Sequence, residues 1–291
     1  MGRLLKAKYA FWPLTNLFQL DLVMGLHYYH FNGAFPKERL VALQKLGEKQ
    51  KRKIRLIQGH MGFGTHEYFP QPCQYITVLR EPVSRVLSQY HQMRQQDWCP
   101  YKKEIRSLPL DKFIESHPID ALTNYQVKMI AGRNSGMPGD TTPYDISPSD
   151  PALLVQAQEN IDKHYLVVLT EKFDESVLLM QKKLNWRNAY YIRSNVTKSR
   201  KRKADYDEAL IDIIRENNKL DIELYDQALK NMNAEIADLG DAFQDNLRKF
   251  RATNGRLQKY CYGPIDWLLN TGRSIHVSRN RKNMRSDLES R

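Results

Sequence analysis

The sequence predicts a three-layer α/β domain built on a mainly parallel sheet, and three observations point there. Three short runs rich in β-branched and aromatic residues each end in polar or glycine-containing sequence. Stretches with apolar residues at helical spacing separate them, the pattern of strands joined by helical crossovers. The chain has 291 residues, 41% of them hydrophobic and 10% aromatic, enough to bury one substantial core as a folded protein.

The elements follow in chain order. Residues 53–58 (KIRLIQ) read as a strand leading into Gly59-His60, and residues 75–79 (YITVL) as a strand leading into Arg80-Glu81-Pro82. Pro82 suits the first turn of a helix, where a missing N–H costs nothing, and Val83, Val86, Leu87 and Tyr90 continue that helix. Residues 134–151, dense in Pro, Gly, Ser and Asp, read as a surface loop near the substrate. Residues 164–169 (HYLVVL) form the third strand run, followed by a helical stripe of Phe173, Val177, Met180 and Leu184. One long helical stretch is expected over residues 206–232, with Leu210, Ile214, Leu224 and Ala228 on related faces. The expected organisation is an α/β domain over 1–240, a helical extension over 241–271 and a basic, disordered tail over 272–291, without internal repeats.

The formal net charge of +12 calls for an anionic partner, but charge does not choose among nucleic acid, lipid, nucleotide and acidic polysaccharide. Cys73, Cys99 and Cys261 are few, odd in number and widely spaced, so neither a disulfide framework nor a zinc site is expected, and no metal. Free thiols of this kind suggest a cytoplasmic protein. No run approaches the ~20 apolar residues of a membrane span, and the opening residues make a poor signal peptide. Membrane association through a segment upstream stays open.

The most informative segment is 75–94, YITVLREPVSRVLSQYHQMR. Arg80 sits at the carboxyl tip of a strand, the edge at which open α/β sheets bind ligands. The helix starting at Pro82 would add free N–H groups and a positive dipole end suited to a phosphate. Arg80 offers a planar fork for two phosphate oxygens, and Ser88, two turns into the helix, a hydroxyl. On the residues alone, Arg80 is equally a structural ion-pair partner and Ser88 a solvated helix residue.

The order Arg80, Pro82, Arg85, Ser88, Tyr90 resembles the 3′-phosphate-binding element of sulfotransferases that use 3′-phosphoadenosine 5′-phosphosulfate (PAPS), the group that includes heparan-sulfate 2-O-sulfotransferases and bacterial relatives. The resemblance spans about residues 25–230. It implies a fold similar to the P-loop nucleotide-binding architecture, with Arg80 and Ser88 holding the donor's 3′-phosphate. IQGHMGFGTHEYFP resembles the family's Gly-His segment, which makes His60 the expected general base and His66 a weaker candidate. NYQVKMIAG resembles the segment after the 3′-phosphate helix, where Asn124 and Gln126 face donor or acceptor. Asn195-Val196-Thr197 and the basic run after it resemble a loop that closes over the nucleotide, giving Asn195, Thr197 and Arg200 a place at the donor. That basic run, ending at Lys203, is alternatively a solvated surface.

One element of the pattern is unmatched: the Lys-Thr-Gly-Gly-like loop that binds the 5′-phosphosulfate. Met1 is therefore expected to lie downstream of a first strand and that loop. The implied function is transfer of a sulfuryl group from PAPS to a hydroxyl, on a carbohydrate acceptor of possible anionic character, with PAPS as donor and no tightly bound cofactor. The rival is a non-catalytic module of the same fold that binds a nucleotide or a polyanion. Nucleic acid is not an expected partner, because no recognition motif for it is present.

Overall fold

Two pairs of parallel strands carry the chain's irregular and helical segments. The computed structural model describes residues 28–30, 45–54, 56–58, 62–95, 101–116, 120–132, 149–186, 189–191 and 203–260. Strand β1 (Tyr28–His30) pairs in parallel with β2 (Leu56–Gln58), and β3 (Tyr75–Leu79) with β4 (Tyr165–Leu169). The β3–β4 register runs from Tyr75↔Tyr165 to Leu79↔Leu169. Parallel neighbours need a long crossover, and the chain from Arg80 to His164 supplies it. The architecture is thus α/β, rich in helix, with little parallel strand among the described residues.

The helices have identifiable starts. Helix α1 (Glu48–Lys53) precedes β2, and its long, unbranched side chains favour helix up to Lys53. The expected strand over 53–58 is accordingly shorter, Leu56–Gln58. Helix α2 (Pro82–Gln95) begins with its proline in the first turn, as expected. Short helices α3 (Lys102–Ser107), α4 (Leu110–Ser116) and α5 (Tyr125–Ala131) follow. Helix α6 (Pro151–His164) is capped by Asp150, whose carboxylate accepts from the Ala152 N–H. Helix α7 (Phe173–Lys183) is joined to β4 by Ser176, whose hydroxyl accepts from the Leu169 N–H at 3.0 Å and donates to the Lys172 carbonyl at 2.7 Å. The single helix expected over 206–232 is two, α8 (Glu208–Glu216) and α9 (Lys219–Asp238). Asn217 and Asn218 separate them because the Asn218 carboxamide bonds the Ile214 and Leu122 carbonyls rather than solvent. A helix, α10, covers 240–260.

Alternation along β3 and β4 sends neighbouring side chains to opposite faces. Leu79 and Leu169 join a cluster with Val127 and Ile130 of α5, Leu153 and Ala157 of α6, Leu224 of α9, and Phe243 and Leu247 of α10. Ile76 and Val168, on the other face, pack with Val177, Met180, Ala189 and Phe250. A third cluster sets Val83, Val86, Leu87 and Tyr90 of α2 against Ile105, Phe113, Ile211 and Ile214. Each fully buried Leu, Ile, Val or Phe contributes about 1.5–3 kcal/mol relative to exposure. Helix α2 is therefore fixed along one side by its apolar stripe, which settles where its polar face lies.

Candidate functional site

The site is built from the carboxyl tip of β3. The Leu79 carbonyl accepts from Thr170, from its N–H at 2.9 Å and from its hydroxyl at 3.0 Å, so the strand pair closes at this point. The next residue, Arg80, is half-buried, and the Gln126 carboxamide grips its backbone. Gln126 Oε1 accepts from the Arg80 N–H at 2.8 Å, and Gln126 Nε2 donates to the Arg80 carbonyl at 3.0 Å. The Glu81 N–H donates to Glu171 Oε1 at 3.1 Å, and Glu171 Oε2 accepts from the Tyr225 hydroxyl at 2.9 Å.

The amides of the first turn of α2 are occupied, contrary to the expectation that they stand free for a phosphate. Pro82 has no N–H, and the Glu81 carboxylate accepts from Val83 N–H at 3.3 Å and Ser84 N–H at 2.8 Å. An acidic side chain already satisfies the orphan donors and the dipole. Burial alone would raise the Glu81 carboxyl; hydrogen bonds from Ser84 and the Lys203 ammonium outweigh it and hold the group below its ordinary value. These backbone amides are therefore not open to a further anion.

Ser88 is half-buried on a stripe of α2 that also carries Ser84 and His91, at the i, i+4 and i+7 positions of one helical face. The turn around Lys203 lies along this stripe. Lys203 Nζ pairs with Glu81 Oε1 at 3.2 Å, and the Tyr206 hydroxyl bonds His91 Nε2. Contacts on either side of Ser88 thus hold the end of the basic run. Asn195, Thr197 and Arg200, and also His60, lie outside the described residues, as do residues 134–148 of the expected loop; its end is described, and Pro151, placed in that loop, is instead the first residue of α6.

Beneath Arg80 a buried polar network joins α2, α5 and α9. Asp221 accepts from the Gln126 N–H at 3.2 Å and the Val127 N–H at 2.8 Å, capping α5 from α9. Asn124 returns the favour: its Oδ1 accepts from the Leu220 and Asp221 N–H groups, both at 3.1 Å. Asn124 is 1% exposed and left-handed, with φ 43°. Arg85, the second arginine of the motif, reaches Asp221 Oδ2 at 3.6 Å and donates to the Ala121 carbonyl at 2.7 Å. Burial raises the Asp221 carboxyl and lowers the Arg85 guanidinium, and each group opposes the shift in the other. Removing one partner of such a buried pair strands a charge, at a cost of about 3–5 kcal/mol. Sequence reading had no signal for Asp221, because nothing local links it to Arg85.

His66 stands elsewhere. Its Nδ1 bonds the Tyr75 hydroxyl at 2.8 Å, and its ring stacks on His164 with centroids 5.9 Å apart. Tyr75 opens β3 whereas Arg80 follows its end, so His66 belongs to an aromatic cluster at the opposite edge. Burial pushes the Tyr75 hydroxyl up to about 12.

Comparison with known proteins bears on the chain as a whole. The galactose-3-O-sulfotransferase family model matches residues 26–280. Galactose-3-O-sulfotransferase 3 of Mus musculus and that of Homo sapiens are each 26% identical over 222 residues, covering 73% of this chain and 50% of theirs. The Bos taurus protein of the same name shares 26% over 222 residues and is covered to 51%. The chain spans about half the length of the curated relatives it matches. The same relatives overturn the expected cytoplasmic location, since they point to a non-cytoplasmic protein. A few widely spaced cysteines, of which Cys73 is an exposed free thiol, do not report the compartment. Among the described residues, no helix is long and apolar enough to cross a membrane.

Proposed function

The chain belongs to the galactose-3-O-sulfotransferase family, and from that premise we propose that it moves a sulfuryl group from PAPS to a carbohydrate hydroxyl. The relatives' name suggests the 3-hydroxyl of a galactose residue as the acceptor. In the reaction the acceptor oxygen forms the new O–S bond and gives up its proton. The bond from sulfur to the 5′-phosphate oxygen breaks, and adenosine 3′,5′-bisphosphate leaves. His60, two residues beyond the end of β2, is the proposed proton acceptor.

Arg80 and Ser88 are proposed to hold the donor's 3′-phosphate. What carries this reading is the position of Arg80 at the tip of a parallel strand, followed at once by the helix that presents Ser88. The attachment of Lys203 and Tyr206 beside Ser88 supports placing Asn195, Thr197 and Arg200 at the same nucleotide, since they lie on the segment these contacts anchor. Asn124 is committed to its cap, so in this reading it shapes the wall of the site rather than touching the donor. Clusters packed on both faces of the β3–β4 pair support a three-layer domain of the P-loop kind.

The test is nucleotide discrimination. Arg80→Ala should weaken adenosine 3′,5′-bisphosphate about 10- to 150-fold, the equivalent of about 1.5–3 kcal/mol for a charge-assisted bond. Adenosine 5′-phosphate, which lacks the group being read, should bind as before. Equal losses for both nucleotides by calorimetry would remove Arg80 from the 3′-phosphate.

A further inference from the structure

We propose that Gln126 is a positioning residue for 3′-phosphate recognition, aiming Arg80 by holding its backbone while Asp221 holds Gln126. The inference rests on the reading of Arg80 as the 3′-phosphate ligand. The β3–β4 ladder ends at Leu79↔Leu169, and Thr170 folds back onto the Leu79 carbonyl. Arg80 is thus the first residue past the ladder, where a chain usually gains freedom. Gln126 takes the place of the next strand residue: its carboxamide accepts from the Arg80 N–H at 2.8 Å and donates to the Arg80 carbonyl at 3.0 Å. Bonds on both peptide groups flanking the Arg80 α-carbon restrict its φ and ψ together, and with them the direction in which the guanidinium leaves the backbone.

The grip is itself anchored. Gln126 is 7% exposed, and its own N–H donates to Asp221 Oδ2 at 3.2 Å. The Asp221 side chain has no exposure and pairs with Arg85 of α2, the helix that carries Ser88. Arg80 and Ser88 are therefore referenced to one buried centre through two routes, one through Gln126 and one through Arg85. Only a primary carboxamide of this length offers both a donor and an acceptor; an ionised glutamate keeps the acceptor and loses the donor.

The experiment uses the full chain and two nucleotides, adenosine 3′,5′-bisphosphate and adenosine 5′-phosphate, titrated calorimetrically. Gln126→Met preserves shape and removes both bonds. It should weaken the bisphosphate about 5- to 10-fold and leave the 5′-phosphate within about two-fold. Because Gln126 acts through Arg80, Arg80→Ala added to Gln126→Met should cost far less than Arg80→Ala alone. Val127→Ala, a core truncation beside it whose side chain packs with Leu79 and Leu169 and makes neither of the two bonds to Arg80, should lower the melting temperature and leave the ratio of the two affinities unchanged. If Gln126→Met does not fold, Gln126→Asn, neutral and polar but one methylene too short to hold both Arg80 backbone groups, carries the same comparison. Discrimination lost on Arg80→Ala but kept in the Gln126 variant overturns the positioning role and leaves the 3′-phosphate reading standing. No discrimination by Arg80→Ala overturns both. A ratio that shifts as much in Val127→Ala makes the effect one of general loosening and also overturns it.

Discussion

Between Arg80 and the first turn of its helix stands a carboxylate. Glu81 spends both oxygens on α2 and Lys203, and this changes what its neighbours can do. A phosphate arriving at the helix terminus would find an anion already there, so in the proposed reading Arg80 and Ser88 reach it from the side. The same arrangement makes stability depend on acid. The carboxyl is held below its ordinary value of 4.5 in the folded chain, so the folded state binds that proton less tightly than the unfolded one. Its contribution is therefore present above the ordinary value and is lost as pH falls through the native one. The urea midpoint of the protein should drop between about pH 6 and pH 3 by more than that of Glu81→Gln, which has no proton to take up. Parallel pH profiles would show that the cap does not couple to folding. At neutral pH, Glu81→Ala should cost about 1 kcal/mol, the usual value of a lost helix cap.

Helices α5 and α9 cap each other, Asp221 serving the first turn of α5 and Asn124 the first turn of α9. Asn124 does this from a left-handed backbone at φ 43°, a conformation that asparagine and glycine tolerate and alanine does not. Asn124→Ala should therefore lose the cap and add backbone strain, about 2–3 kcal/mol together. Asn124→Gly should lose the cap alone and be the more stable variant by about 1 kcal/mol. Chemical denaturation orders the two, and a glycine variant no better than alanine would remove the strain component. Elements of this kind explain what the sequence disclosed. Residues 75–79 were legible as a strand because an apolar, β-branched run stops at charged residues and a proline. The helix after it was legible from the apolar stripe that packs on Phe113 and Ile214. Tyr28–His30 was not, since three residues show no alternation and their partner strand begins at Leu56. The motif also disclosed Arg85 as one of a set without showing that it faces inward to Asp221, because pairing across that separation leaves no local trace.

At the scale of the whole molecule, the proposed function has two attractions acting on a nucleotide, and ionic strength separates them. The net charge of +12 produces a field that draws any polyanion toward the protein from a distance. In the proposed site Arg80 would act only at contact, from a half-buried position at the strand tip. The Debye length shrinks from about 10 Å at 0.1 M salt to about 3 Å at 1 M, which removes the field but screens partly buried pairs much less. Association of adenosine 3′,5′-bisphosphate should therefore slow steeply across that range in stopped-flow measurements, as steered encounters do. The preference for the bisphosphate over adenosine 5′-phosphate should behave differently. Part of it reflects the larger charge of the bisphosphate and will fade with salt. The part owed to the Arg80 contact should persist at 1 M and vanish on Arg80→Ala. Equilibrium titrations of both nucleotides at the two salt concentrations, with and without Arg80, resolve the two parts. A preference that disappears at 1 M salt in the unaltered chain would mean that net charge alone attracts the nucleotide. The strand tip would then hold no built phosphate site.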